Sequence, residues 1–136
     1  MLHALGMAIE LQGTSIIGQS RGQGSDDCGQ AVNPANGEKL SPEYKAATLE
    51  EVDQAVELAR RAETTFGSMP GSERAGFLRA IAEEIEAAGD EIAQRGPLET
   101  SLPEARMRGE TARTCGQLRM FAALAEEGSW VDARVE

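Results

Sequence analysis

Very little of this chain is aromatic, basic or thiol-bearing, and none of it stays apolar for long. One tryptophan, one tyrosine and three phenylalanines make up 4% of 136 residues, so a core must be assembled from Ala, Leu, Ile and Val, which the 40% hydrophobic content allows. Thirteen Lys and Arg stand against 23 Asp and Glu, a net charge of −10. Phosphate backbones are gripped by a cationic footprint, so nucleic acid is excluded as a partner, and anionic membrane surfaces on the same ground. The acidic surplus instead keeps a protein dispersed. Two cysteines, Cys28 and Cys115, are too few for a disulfide framework and suit a reducing, cytoplasmic compartment. The single histidine, His3, lies in MLHALGMAIELQ, which has no basic start and is far too short for a membrane span. Residues 1–14 are expected to form a poorly ordered tail.

What is present reads as short strands followed by helices. Thr14–Gly18 is β-branched and apolar, a strand signal. Gly18, Gly22, Gly24 and Gly29 then interrupt regular structure. A dinucleotide fingerprint needs its glycines between a strand and a helix, whereas here another extended segment, QAVNP, follows. The glycine-rich stretch is therefore a hairpin loop. Asn33-Pro34-Ala35-Asn36-Gly37 is a turn, pairing Gln30–Val32 with Lys39–Ala46, and Pro42 marks an edge or a bulge.

Thr48 with Glu51 forms a capping box that opens a first helix, with Leu49, Val52, Ala55, Val56, Ala59, Ala62 and Phe66 on its apolar face and Gly67 and Pro70 stopping it. Ser72 caps a second helix whose inner face is Phe77, Leu78, Ile81, Ile85 and Ala88. Gly89 ends it and Asp90 caps a short third. Glu83, Glu84 and Glu86 scatter around a solvated face with no histidine nearby, which is not a metal site.

The longest element runs from Pro103, a proline suited to the first helical position, to Gly128, a left-handed cap. Ala105, Gly109, Ala112 and Gly116 share one face of it. Helical glycine costs about 1 kcal/mol against alanine, so such a seam implies close approach by a backbone or a ligand passage. Met120, Phe121 and Leu124 further on read as ordinary core. The predicted helices are 49–66, 73–88, 90–95 and 103–127, after a ribbon within 15–46.

The run ETSLPEAR followed by RGETARTCGQLRMFA resembles the N-terminal region of the aldehyde dehydrogenase superfamily, in which a helix ending E-T-G-x-P precedes a long helix carrying L-R-x-[FY]-A. NPANGEKL, TLEEVDQAVELARRA and ERAGFLRAIAEEIEA match the same family in the same order, so the resemblance spans about Ser15 to Val135. Within the family it is similar to the branch oxidising α-ketoglutarate semialdehyde (2,5-dioxovalerate). The resemblance implies the N-terminal fragment of an α/β dehydrogenase fold: residues 15–136 as an incomplete cofactor-binding domain, mainly α after a short antiparallel ribbon, with no parallel Rossmann sheet. Two departures stand out. Pro97 should break the third helix a turn early, and Ser101 replaces the glycine of E-T-G, at a cost if that position needs positive φ.

The family passes hydride from a thiohemiacetal on a cysteine to NAD or NADP. Its nucleophile, base and cofactor lysine lie C-terminal to the elements matched here, so this chain by itself is expected to have no catalytic residue and no cofactor. Cys115 lies mid-helix without a base, and Glu99 and Glu110 have nothing to fix a substrate between them. The resemblance places Gly109 and Arg113, four apart, beside the substrate passage; Arg113 paired with Glu110 on the surface is the plain alternative. The implied partners are the remainder of a dehydrogenase chain and, at full length, further copies in a homo-oligomer. Another aldehyde dehydrogenase branch, or a non-catalytic helical interaction module derived from one, are the competing readings.

Overall fold

The computed structural model describes residues 10–131. His3 and residues 1–9 of the expected tail fall outside them. Contacts divide the described chain into two units, one of residues 10–68 with 98–101 and one of residues 69–97 with 102–131.

The first unit holds two antiparallel ribbons and a helix. Strands β1 (Ile16–Ile17) and β2 (Ser20–Arg21) pair through a tight turn, and β3 (Cys28–Val32) pairs separately with β4 (Lys39–Lys45). The single ribbon expected over 15–46 is thus two. In the connecting turn the Gly37 N–H donates to the Asn33 carbonyl at 2.7 Å, and Asn33 Oδ1 accepts from the Ala35 N–H at 3.0 Å. Gly37 has φ +75°, the positive value that the Asn-Gly pair signals. Gln30 faces Glu43 while Ala31 faces Leu40, so Ser41 and Pro42 bulge out of the ladder. Proline has no N–H to give the ladder, which is why the irregularity falls there. Both sheets among the described residues are two-stranded and antiparallel.

Helix α1 (Leu49–Gly67) opens on the expected capping box, the Glu51 N–H donating to Thr48 Oγ1 at 3.2 Å and the Thr48 N–H to Glu51 Oε2 at 3.0 Å. Its apolar stripe is not buried: Leu49, Val52, Val56 and Phe66 are all exposed, Leu49 by 80%. Amphipathic spacing identifies the side a helix would bury; it does not ensure that the same chain supplies the cover.

The second unit is built on α2 (Gly71–Ala87) and α4 (Glu104–Glu127) with the first part of α3 (Gly89–Thr100), whose residues 98–100 are counted with the first unit. Gly71 lies by Ala125, Ala82 by Cys115 and Glu86 by Arg119, so the pair runs antiparallel. Ala75 and Ala82 on α2 and Cys115 and Ala122 on α4, each pair seven apart, are fully buried. The centre of the pair is therefore made of small side chains, which bring two helix backbones close. Arg79 pairs with Glu126, and Arg119 bonds bidentately to Glu86 at 2.6 Å and 2.6 Å, along the rim.

Four local expectations are corrected here. Helix α2 starts at Gly71 after Pro70 as N-cap, so Ser72 is inside its first turn and caps nothing. A Cβ at residue 71 would strike the Ala125 carbonyl, so the first residue of α2 lies close against α4. Gly89 belongs to α3, and Ala88 is the C-cap of α2. Helix α3 also runs on through Pro97 to Thr100 instead of breaking before it. Part of the steric conflict behind a proline is with the preceding Cβ, and Gly96 has none. Pro103 is the N-cap and Glu104 the first helical residue, while Gly128 closes α4 at φ +77° as expected.

Ser101 has φ +58°. A left-handed conformation costs a residue with Cβ about 1 kcal/mol or more, of which the greater unfolded-state freedom of glycine takes back about 0.5–1. Ser101→Gly is therefore expected to raise stability by up to about 0.5 kcal/mol, read as a higher urea midpoint with unchanged slope. A lower midpoint would show that the serine side chain offsets the strain.

Candidate functional site

Helix α4 carries most of the residues with chemical interest, and its contacts decide what each can do. Met107, Glu110, Thr111, Cys115, Leu118, Ala122 and Ala125 are its buried or half-buried positions, and all but Glu110 fall on one side at helical spacing. Ala105, Gly109, Ala112 and Gly116 point away from that side and are exposed, and a Cβ at either glycine would meet nothing within 4 Å. The small-residue face is thus open, and the close contact of α4 is made by a different small-residue line that includes Cys115. Met120, Phe121 and Leu124, expected in the core, are exposed by 57%, 53% and 46%.

Arg113 lies on the open side, its Nε donating to Glu110 Oε2 at 2.8 Å, while Arg106 reaches Glu110 Oε1 at 2.6 Å. The Glu110 carboxyl is held below its ordinary range, chiefly by the hydrogen bond from Arg113. Both oxygens are engaged by arginines, so Glu110 is a charge partner and not a poised base. Glu99 stands near the C-terminal end of α3.

Neither cysteine has the setting of a nucleophile. Cys115 is fully buried, its Sγ donating to the Ala82 carbonyl at 3.5 Å, so a substrate has no access to it. Cys28 is exposed on β3, but its thiol is pushed up, first by the neighbouring charge of Glu43 and then by desolvation. A raised thiol is the opposite of thiolate activation. Among the described residues no group of three or more His, Cys, Asp or Glu is placed to hold a metal. No helix among them is long and apolar enough to cross a membrane.

One long-range contact was invisible in the sequence. Glu51 caps α1 as its spacing predicts, and its second oxygen also receives the N–H groups of Gln23 and Gly24. The only sequence signal was the flanking Gly22 and Gly24, and nothing in it names a partner 28 residues away.

The chain superposes on the crystal structure of an NAD-dependent benzaldehyde dehydrogenase from Corynebacterium glutamicum with TM-score 0.77, covering 88% of this chain and 26% of that one; at 22% identity the likeness is one of fold. The family model described as "Aldehyde dehydrogenase family" matches residues 22–133, and the chain belongs to that family. It is 40% identical over 129 residues to alpha-ketoglutaric semialdehyde dehydrogenase 2 of Azospirillum brasilense, covering 94% of this chain and 25% of that protein. With the alpha-ketoglutaric semialdehyde dehydrogenase of Acinetobacter baylyi it shares 36% identity over 107 residues, 79% of this chain and 20% of that one. The chain thus spans a quarter or less of the length of these curated relatives and corresponds to their N-terminal region.

Proposed function

We propose that this chain is the N-terminal portion of an NAD(P)-dependent dehydrogenase that oxidises α-ketoglutarate semialdehyde, and that it is inert without the rest of such an enzyme. The reaction takes the aldehyde, water and NAD(P)+ to the carboxylate, NAD(P)H and two protons. The observation that carries this reading is the 40% identity over 94% of the chain to a protein of that activity. The structure supports it from a separate direction. The stripe of α1 and the Met120–Phe121–Leu124 side of α4 are large apolar surfaces left in water. Such surfaces are built to be covered, and the remainder of a dehydrogenase chain is the cover proposed. In the whole enzyme we place the chain in the cytoplasm and within a homo-oligomer.

Fusing the chain in frame to the C-terminal three-quarters of the Azospirillum enzyme is expected to give NADH production from the semialdehyde, and the chain alone none. A fusion that stays inactive while its parent works overturns the reading. So does steady NADH production by the chain alone that is lost in Cys115→Ala.

Gly109 and Arg113 are proposed to border the substrate passage in that assembly. The semialdehyde carries a carboxylate, and a guanidinium fork matches one; Gly109 leaves room beside it. Arg113 is exposed on α4, its guanidinium bonded to Glu110. In the fusion, Arg113→Leu is expected to lower kcat/KM for the semialdehyde roughly tenfold, about 1.4 kcal/mol, while sparing an uncharged aldehyde of similar length. Equal effects on both substrates, or none on either, return Arg113 to a surface pair of little energetic weight.

A further inference from the structure

Two segments far apart in sequence meet at one carboxylate. Glu51 Oε2 accepts the Thr48 N–H at 3.0 Å, while Oε1 accepts the N–H groups of Gln23 at 2.7 Å and Gly24 at 3.1 Å. On either side of these residues the loop is tied to backbone: the Gly22 N–H donates to the Ser15 carbonyl at 2.9 Å and the Ser25 N–H to the Ala46 carbonyl at 2.8 Å. Gln23 and Gly24 between them are held by Glu51. Gly22 belongs to the same device, because a Cβ there would sit on the Glu51 carboxylate. Loop and carboxylate together wall a cavity of about 330 Å³, shared with Ile17, Arg21 and Gln54.

We propose that Glu51 is an acid-released clasp, which holds Gln23 and Gly24 on the start of α1 while ionised and lets them lift on gaining a proton. An ionised carboxylate is acceptor-only and serves all three N–H groups. Protonation turns one oxygen into a donor facing an N–H and removes the charge that makes such bonds strong. The backbone bonds hold the Glu51 carboxyl below its ordinary value of 4.5, Gly24 contributing most, then Thr48, with Gln23 adding a smaller part and desolvation opposing. A lowered folded-state value means the tie is fully present above about pH 4.5 and is lost as pH falls through that lower value. The charged neighbours are Arg21 across the cavity and Lys45, whose Cβ lies against Gly24. Glu50, Asp53, Glu57 and Glu63 on α1 and Asp26 and Asp27 on the loop are the other carboxylates of these elements, and the bonds that join loop to helix are those of Glu51.

The test is amide hydrogen exchange on the chain as it stands, expressed as protection factors between pH 6.5 and 3.5. Protection at Gln23 and Gly24 is expected to fall roughly tenfold more than at Ser25 and Asn33, whose N–H groups donate to backbone carbonyls. Glu51→Gln, which does not titrate, is expected to lose the step. Gly22→Ala, which pushes the carboxylate aside, is expected to show the acid-like exchange already at pH 6.5. Equal loss of protection at all four amides, or a step that survives in Glu51→Gln, overturns the clasp. Should Glu51→Gln fail to fold, the comparison of the four amides in the unaltered chain decides alone.

Discussion

Gly71→Ala is expected to destabilise the chain by about 2–3 kcal/mol, the cost of forcing an extra methyl into a well-packed contact. Gly71 opens α2 at the point where that helix meets the C-terminal end of α4. A Cβ there would run into the Ala125 carbonyl oxygen, which is backbone and has no rotamer with which to move aside. Relief requires the helices to separate at this end, loosening the Arg79–Glu126 pair and exposing Ala75 and Ala122. The same substitution five residues on makes the control. Gly76 is exposed within α2 and a Cβ there meets nothing within 4 Å, so Gly76→Ala is expected to gain up to about 1 kcal/mol from helix propensity alone. Urea unfolding followed by helical circular dichroism measures both. Equal midpoints for the two variants would mean that α2 and α4 are not in close contact at Gly71.

Ala82→Leu should be nearly as damaging, at about 1–3 kcal/mol. Ala82 has no exposed surface, and its carbonyl receives the thiol of Cys115, the largest fully buried side chain among the described residues. Three added carbons have nowhere to go without parting the helices. If this contact carries the effect, shrinking the opposite residue must reduce it. Cys115→Ala is therefore expected to cost less in the Ala82→Leu background than in the unaltered chain, with a coupling of about 0.5 kcal/mol or more. Additive losses would place the added leucine elsewhere than against α4. Because Cys115 is expected to act by filling this seam, thiol-directed reagents should reach Cys28 well before Cys115.

The elements that the sequence made legible share one property: their causes lie within a few residues. The Thr48–Glu51 box, the Asn33–Gly37 turn, the bulge at Pro42 and the Gly128 cap each depend on local backbone geometry and on hydrogen bonds between near neighbours. The positive φ of Ser101 was legible for a related reason, since the family motif has a glycine there. Where the expectation failed, the cause came from elsewhere in the chain or was an incomplete local account. Ser72 looked like a cap, but α2 begins one residue earlier, at Gly71, which lies close against Ala125. Pro97 looked like a stop, yet a preceding glycine removes part of the clash that would have enforced one.

The candidate site divides the same way. Spacing alone puts Gly109 and Arg113 on one face of α4, and spacing alone denies Cys115 a helix-terminal setting. Which face of α4 is covered was not legible, because two lines of small residues run along this helix and either suits a close neighbour. The structure puts α2 on the line through Cys115 and Ala122 and leaves Ala105, Gly109, Ala112 and Gly116 open. Burial is a property of pairs of surfaces, and periodicity describes only one of them.

By itself, then, the sequence determined the family, the number of α-helices and the approximate bounds of all but the third, the ribbon turn and the acidic, aromatic-poor character of the chain, since all of these are written in residue type and short-range order. Only the tertiary structure decided that the α2–α4 centre is alanine and cysteine, that the leucine, valine and phenylalanine stripe of α1 stays in water, and that Glu51 binds a loop 28 residues away as well as its own helix. The physical reason is the range of the forces: dihedral preferences and caps act over three or four residues, whereas close packing and long-range hydrogen bonds are settled by which surfaces the folded chain brings together.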